Sequence, residues 1–381
     1  MAAIEAALVE RPLAGREAAR SYCRLADAIV LPVIDIAWRH LHPLPTPTKA
    51  EHVSVIATGG YGRGEMAPHS DIDLLFLTPY KQTAWGESLI ESVLHMLYDL
   101  RFKVGHAVRS VEDCVRLGRE DITIRTALLD RRYLCGDRAL AEELDTVLWR
   151  DLFARTGPEF VEAKLAERDE RHERHGGSRY LLEPNVKESK GGLRDLQTLF
   201  WIAQYLYHTR TPEELVERGV LGRDELDVFT DAENFLWAVR CHLHLITGRA
   251  VDLLSFDAQV EIARRMGFRD SGGRRAVEHF MQTYFTHAKH VGELTRIFCA
   301  VLEAQHVKAR TPLGGRLRRA LGFGRRQVAP GFRDRDGRLD FADPEAAARE
   351  PILMLRLIQE AVVSRLRIHP DAIRLVAANR H

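Results

Sequence analysis

Hydrophobic and polar positions divide the chain into a mixed α/β region and a longer helical region. Apolar residues recur at loosely helical spacing over residues 1–40, which predicts helix. A second helical stripe covers residues 87–101. Short apolar runs typical of strands lie at residues 53–58, 72–77, 104–108 and 128–134. The pattern therefore predicts a small sheet with helices around it.

Beyond residue 146 the apolar positions follow helical spacing almost without interruption, as in the stripe of Leu193, Leu196 and Phe200. Long helices without intervening strands predict a bundle packed beside the α/β domain. The expected fold class is α+β, a mixed-sheet domain followed by an all-α domain. The predicted divisions are residues 1–145, residues 146–305, a basic linker and hairpin at 306–345, and the start of a further helical region at 346–381.

Local signals support the division near the C-terminus. Asp336-Gly337 between short alternating segments predicts a hairpin turn. Asp343 followed by Pro344 is typical of a helix N-cap with proline at the first helical position. The sequence stops inside a helix opened by Pro370, so we expect a fragment of a longer protein.

Composition narrows the class of protein. Hydrophobic residues make up 45% of the 381 residues and the formal charge is +1, which allows buried cores and does not call for a nucleic-acid partner. The basic stretch at 316–326 contains Phe323 as its single aromatic residue, so a solvated hinge is favoured over nucleic-acid binding. Five scattered cysteines without CxxC spacing fit a reducing compartment. With no signal peptide and no apolar run of ~20 residues, we expect a soluble, cytoplasmic protein without a membrane partner.

The chemistry is concentrated where the second predicted strand begins. Gly59-Gly60 follows the first strand, and ten residues later Ser70 precedes Asp71 and Asp73. Side chains at i and i+2 of a strand share a face, so the two aspartates should project together. Two adjacent carboxylates repel unless a cation lies between them, and Mg²⁺, for which Mn²⁺ can substitute, prefers such a pair together with phosphate oxygens. Each piece alone is weak, because Asp-x-Asp is usually a solvated strand edge, but their joint spacing favours a metal–nucleotide site.

A second segment, residues 183–195, combines glycines with basic residues just before a predicted helix. Lys187, Lys190 and Arg194 could neutralise a triphosphate from across a cleft. The alternative is a helix N-terminus with solvated lysines.

The glycine turn followed by Asp-x-Asp resembles the signature of the polymerase-β-like nucleotidyltransferase superfamily. The resemblance implies two-metal catalysis, with Asp71 and Asp73 as ligands and a third carboxylate on a later strand. Asp130 is the candidate, expected on a strand adjacent to that of the other two and on the same face; Asp121 is a weaker contender. The alternative for Asp130 is a surface aspartate paired with a neighbouring arginine.

Four motifs in order resemble bacterial PII uridylyltransferase/uridylyl-removing enzymes. They lie at residues 59–75, 104–109, 187–195 and 240–257. The resemblance implies transfer of UMP from UTP to a tyrosine of the PII signalling protein, with release of pyrophosphate. It also implies that hydrolytic removal and glutamine sensing belong to HD and ACT domains outside this chain.

The resemblance suggests roles for the remaining residues. Gly59, Gly60 and Ser70 would approach the β and γ phosphates, and Lys187, Lys190 and Arg194 would close the other side of the cleft. Arg63 would stabilise the leaving pyrophosphate, with a surface salt bridge to Glu65 as the alternative.

Further candidates and two rival functions stay open. His242, His244 and Arg249 are weaker candidates, because a histidine among apolar neighbours is more often a packing residue. The rival functions are adenylyl or other nucleotidyl transfer to a protein, and an idle nucleotide-binding scaffold for PII.

Overall fold

The computed structural model describes residues 1–80, 82–309, 328–335, 338–364 and 366–378. The chain forms two compact units, one of residues 1–217 and 223–292 and the other of residues 218–222 and 293–381. The predicted linker core and the Asp336-Gly337 turn lie outside the described residues.

The first unit contains a four-stranded mixed sheet. Its strands are β1 (Ser54–Ala57), β2 (Ile72–Thr78), β3 (Val104–Ser110) and β4 (Arg132–Gly136). Their order is β3-β2-β1-β4; β1 pairs antiparallel with both β2 and β4, and β2 pairs parallel with β3. The two central strands are almost entirely buried, which explains why they appear in the sequence as continuous apolar runs.

Helices surround this sheet and make up the rest of the first unit. They are α1 (Ala2–Glu10), α2 (Gly15–Ile36), α3 (Gly59–Arg63), α4 (Ala84–Asp99), α5 (Val111–Glu120), α6 (Ile122–Leu129), α7 (Arg138–Val147), α8 (Gly157–Arg174), α9 (Leu193–Tyr207), α10 (Glu213–Glu217), α11 (Arg223–Thr247), α12 (Phe256–Arg265) and α13 (Ala276–Ala309), which continues into the second unit. Short 3₁₀ or π turns lie at Ala37–Leu41, Lys49–Glu51, Leu148–Leu152 and Phe153–Arg155.

The mixed α/β character and three of the predicted strands are confirmed. The strand predicted at 128–134 is wrong at its start, because Leu128 and Leu129 end helix α6 and the strand begins at Arg132. A short apolar run fits a buried helix end as well as a strand, so its period alone does not decide between them.

The second unit has its own small core. Strands β5 (Phe332–Arg335), β6 (Arg338–Phe341) and β7 (Arg367–Ile368) form a sheet in the order β5-β6-β7. Helices α14 (Pro344–Arg349), α15 (Pro351–Ser364) and α16 (Pro370–Ala378) accompany it. The predicted N-cap is confirmed, because the Asp343 side chain accepts hydrogen bonds from the backbone N–H groups of Glu345 and Ala346.

Candidate active site

A cleft of about 720 Å³ in the first unit collects most of the residues that the sequence singles out. Its lining comes from the start of β2, from α3, and from helices α6, α8, α9 and α11. The predicted site residues that line it are Gly59, Gly60, Arg63, Ser70, Asp71, Asp73, Asp130, Lys187 and Arg194.

Strand β2 presents the paired aspartates to the cleft. Asp73 is the second residue of the strand and is half-buried, whereas Asp71 directly precedes the strand and is exposed. Ile72 and Leu74 point into the core and are 0% and 2% exposed, as the alternation of a strand requires. Burial raises the pKa of Asp73 and the charge of Asp71 raises it further, while Arg63 and Lys187 oppose the shift.

Two glycines leave the space that the Asp73 carboxylate occupies. Gly59 has a left-handed backbone (φ +58°), and a Cβ built there would lie 2.9 Å from Asp73 Oδ2. Gly105 is paired with Asp73 in the β2–β3 register, and a Cβ there would collide with Asp73 Oδ1. Gly105 was not predicted as a site residue, although it lies in one of the four motifs, because its importance depends on which strand is adjacent.

The donor set of the cleft fits a divalent cation. Seven Lys and Arg side chains and seven Asp and Glu side chains line the cleft. These charges cancel, so the cleft offers a triphosphate no net positive charge unless a cation neutralises Asp71 and Asp73. Among the described residues, no three His, Cys, Asp or Glu side chains are grouped so as to hold a metal ion. The pair on β2, completed by phosphate oxygens, is thus the arrangement that fits.

Asp130 lies in the cleft, but the prediction that it lies on an adjacent strand is wrong. It directly follows α6 and precedes β4, which pairs with β1 rather than with β2. The strands of this sheet carry Asp73 as their single acidic residue. The apolar run around Leu128 predicted a strand, but in the structure it is the end of helix α6. Asp121, the weaker contender, caps α6 by accepting from the N–H groups of Thr123 and Ile124.

The contacts of Asp130 connect it to Arg63. The carboxylate forms an ion pair with Arg63 Nη1 and accepts a hydrogen bond of 2.9 Å from Trp201 Nε1. Asp130 is 5% exposed, so it is not the surface aspartate considered as the alternative. Its neighbours Arg131 and Arg132 pair with other acids. A metal-ligating role for Asp130 stays a prediction; the contacts that exist anchor Arg63.

The alternative for Arg63 is also wrong. Glu65 pairs with Arg16 at 2.7 Å, and Arg63 instead lies between Asp130 and the face of Trp201, 5.5 Å from the ring centroid. Arg63 is thereby held at the edge of the cleft, close enough for its charge to lower the pKa of Asp73.

The opposite wall is cationic and centres on Trp201. Lys164 and Arg194 lie 4.5 and 5.3 Å from the Trp201 ring centroid. Glu188 lies between two cations, 3.6 Å from Lys187 Nζ and 3.3 Å from Arg194 Nη2. Burial lowers the pKa of Lys187, and nearby arginines lower it further. Sequence reasoning missed Lys164 and Trp201, because each looks like part of an ordinary amphipathic helix.

The loop that carries Lys187 is held by a buried aspartate. Asp195 is 2% exposed and pairs with Arg171, and it accepts hydrogen bonds from His172 Nε2 at 2.9 Å and from the N–H of Gly191 at 2.8 Å. This loop brings Lys187 to the cleft, while Lys190 is not among the lining residues.

The weaker candidates do not line the cleft. His242 and His244 are fully buried in α11 and hydrogen-bonded to protein groups, as the packing interpretation predicts. Arg249 is exposed and lies in a separate pocket shared with Ser70.

Two family models match parts of this chain, and several known enzymes are similar to nearly all of it. The family model described as GlnD PII-uridylyltransferase matches residues 159–299, and the one described as Glutamate-ammonia ligase adenylyltransferase matches residues 1–95. The bifunctional uridylyltransferase/uridylyl-removing enzyme of Cereibacter sphaeroides is 56% identical over 371 residues, which cover 97% of this chain and 39% of that protein. The enzymes of the same name from Ruegeria pomeroyi and Azospirillum brasilense are 54% and 50% identical, over 99% and 95% of this chain and 41% and 38% of their own length.

The small mixed sheet and the many helices around it are consistent with a nucleotidyltransferase-like fold. With these identities over nearly its whole length, the chain corresponds to one portion of the bifunctional uridylyltransferase/uridylyl-removing enzymes. It spans about two-fifths of the length of the curated relatives that it matches. None of the described helices is long and apolar enough to cross a membrane.

Proposed function

We propose that this chain is a polymerase-β-like nucleotidyltransferase that transfers UMP from UTP to a tyrosine hydroxyl of the PII signalling protein. The observation that carries the proposal is the placement of Asp73 between Gly59 and Gly105, beside Asp71, at the mouth of a cleft with a cationic opposite wall. The names of the relatives support uridylyl transfer as the reaction class.

In the proposed reaction the tyrosine oxygen attacks the α-phosphorus of UTP. A new P–O bond forms, the bond to pyrophosphate breaks, and the phenolic proton leaves to solvent or to a carboxylate of the cleft. Asp71 and Asp73 would hold Mg²⁺ or Mn²⁺, which would neutralise charge on the triphosphate and on the attacking and leaving oxygens.

The chain's own residues would orient the nucleotide. Gly59 and Gly60 allow phosphate oxygens to approach the backbone, since neither carries a side chain on the cleft side. Lys187 and Arg194 would bind the triphosphate from the opposite wall, and Arg63, anchored by Asp130, would stabilise the leaving pyrophosphate.

One observation favours a second candidate function. The adenylyltransferase family model matches residues 1–95, which contain the glycine turn and both aspartates. Adenylyl transfer from ATP would use the same carboxylates, because these do not contact the base.

Incubating the chain with purified PII, Mg²⁺ and each of the four nucleoside triphosphates separately would distinguish these functions. Intact mass spectrometry should show one UMP added per PII subunit with UTP alone, and peptide mapping should place it on a tyrosine. Addition of AMP from ATP would support the second candidate. Nucleotide binding without transfer to PII would identify a scaffold and contradict the proposal.

A further inference from the structure

His244 is hydrogen-bonded to two segments that position opposite walls of the cleft, although it does not itself line the cleft. It lies in α11, is 0% exposed, and uses both ring nitrogens. Nδ1 is hydrogen-bonded to the carbonyl oxygen of Pro68, and Nε2 lies 2.9 Å from Asp252 Oδ1. Pro68 and Asp252 are 184 residues apart along the chain, so a single ring joins two distant segments.

Both partners of His244 are acceptors. A backbone carbonyl has no proton to donate, and an ionised carboxylate has none either, so each ring nitrogen must carry a hydrogen. Burial alone would raise the pKa of Asp252, but the bonds from His244 and Arg240 outweigh burial and hold it well below its ordinary range. Asp252 is therefore ionised, and the geometry requires a doubly protonated, positively charged His244.

The charged groups around this ring are consistent with that state. Asp252 also accepts from Arg240 Nε at 2.8 Å, and Lys187 lies near both of these side chains. Asp252 thus balances a cationic group of side chains that includes two residues of the cleft lining, Lys187 and Arg240.

Pro68, the first partner of His244, belongs to the turn that leads into Asp71. His69 has a left-handed backbone (φ 63°), which is strained for a residue with a side chain, and Ser70 donates its N–H to the carbonyl of Ala67. The hydrogen bond from His244 to the carbonyl of Pro68 fixes this turn one residue before His69, the strained position.

Asp252, the second partner of His244, belongs to the segment that is hydrogen-bonded to the loop carrying Lys187. The backbone carbonyl of Asp252 accepts from the N–H of Val186, and the N–H of Leu254 donates to the carbonyl of Pro184. Asn185 and Leu253 form a β-bridge between the same two segments. Lys187 follows directly, so the position of Asp252 sets the position of the opposite wall.

We infer that His244 is a positioning residue, whose doubly protonated ring sets the distance between the Asp71 turn and the Lys187 loop. The effect of His244 on catalysis rests on the proposed function, whereas its protonation and its two hydrogen bonds do not depend on that function. The residue does not line the cleft and contacts neither phosphate nor acceptor in this assignment.

The chain offers a matched control two residues earlier. His242 is also 0% exposed in α11, but its Nε2 faces the carbonyl of Pro12, and its Nδ1 has no hydrogen-bond partner among the described residues. Burial lowers the pKa of His242 to about 4, so its ring is neutral at physiological pH. Substituting His242 disturbs the same helix without touching either wall of the cleft.

The first test needs no activity. Nitrogen-15 NMR of the histidine-labelled full chain, assigned by H242Q and H244Q, should show two protonated ring nitrogens for His244 at neutral pH. His242 should show one protonated and one bare nitrogen. A bare nitrogen on His244 would overturn the inference even if the chain transfers UMP as proposed.

The second test compares the variants. H244Q and H242Q should both lower the melting temperature, but only H244Q should lower kcat/KM, by about 100-fold, since small misplacements of reacting groups cost this much. UTP binding by calorimetry should weaken in H244Q alone. D252N should reduce kcat/KM in the same direction, and H244Q/D252N should be no worse than H244Q, because the two residues act together. Equal kinetics for H242Q and H244Q would mean that His244 is only a packing residue.

Discussion

The carboxylate of Asp73 lies directly over the backbone of Gly105, its register partner on the neighbouring parallel strand. A methyl group at residue 105 would collide with Asp73 Oδ1. The carboxylate at the centre of the candidate site therefore depends on a glycine whose backbone is ordinary strand and needs no glycine for conformational reasons.

Substituting Gly105 by alanine should displace Asp73 and leave the fold intact. We expect G105A to lose transfer by about 100-fold, since a displaced ligand no longer lies in line with the reacting groups. It should keep the far-ultraviolet circular dichroism of the wild type. The control is G86A, near the start of α4, where the new Cβ meets only Thr83 Oγ1 at 3.4 Å. Unimpaired transfer by G105A would remove Asp73 from the centre of the site.

Replacing Asp71 and Asp73 together should abolish transfer and spare folding. We expect D71N/D73N to lose at least ~1000-fold in transfer, because charge stabilisation by metal ions contributes several kcal/mol and each 1.36 kcal/mol is tenfold. Burial and Asp71 raise the pKa of Asp73, so the fold disfavours its charge and should tolerate a neutral side chain. Without Mg²⁺ the variant should melt no lower than wild type, and Mg²⁺ with UTP should no longer raise its melting temperature. Near-normal transfer would show that the two aspartates are a solvated strand edge.

Asp130 can be tested as an anchor against the original prediction of a metal ligand. Breaking a buried ion pair from one side costs about 3–5 kcal/mol, so D130N and R63M should each destabilise the chain strongly in urea unfolding. The double variant should recover much of that loss, because no unpaired charge remains buried. If Asp130 is an anchor, the Mg²⁺ concentration for half-maximal transfer should be unchanged in D130N. A large rise in that concentration would instead support metal binding.

The sequence was sufficient where local pattern determines structure. The apolar run at residues 72–77 formed strand β2, and Asp71 and Asp73 both line the cleft, while the glycines before them begin the short helix α3. It was insufficient where the site depends on contacts between distant segments. The interaction of Trp201 with Lys164 comes from the packing of α8 against α9, and the role of Gly105 comes from the order of the strands. No local spacing encodes either contact.

Glu233 should make the stability of the chain fall as pH rises from about 4.3 to about 7. Burial and then Glu65 raise its pKa, Arg16 opposes the shift, and the resulting pKa is about 7. In the unfolded chain a glutamate titrates near ~4.3, so between that pH and about 7 the folded state holds more protons. Ionised Glu233 therefore opposes folding, fully above pH 7 and not at all below the unfolded value.

The substitution E233Q should remove this dependence. Urea unfolding at pH 8 should show the variant more stable than wild type, by at most roughly 3 kcal/mol, and the advantage should nearly disappear at about pH 4, below the unfolded pKa. Arg16 Nη1 lies 3.1 Å from Glu233 Oε2 without hydrogen-bond geometry, so its loss should offset only part of the gain. E261Q is the control of opposite sign, because Arg264 and Arg265 lower the pKa of Glu261 to about 2. A pH-independent difference between E233Q and wild type would rule out the raised pKa.

Lys187 and Lys190 offer the most direct test of the cationic wall. Both were predicted from the sequence to bind the triphosphate, and only Lys187 lines the cleft. Between them, Ser189 donates its N–H to the carbonyl of Asn185, and Asp195 fixes Gly191 in a left-handed conformation (φ +86°). We expect K187A to raise the KM for UTP and weaken UTP binding by about tenfold or more, since a charge-assisted hydrogen bond contributes ~1.5–3 kcal/mol, with Mg²⁺ dependence retained. K190A should stay within about twofold of wild type in both measurements, because Lys190 does not line the cleft. Equal losses in both variants would mean that the loop closes on the nucleotide and brings Lys190 into the cleft, as the sequence alone suggested.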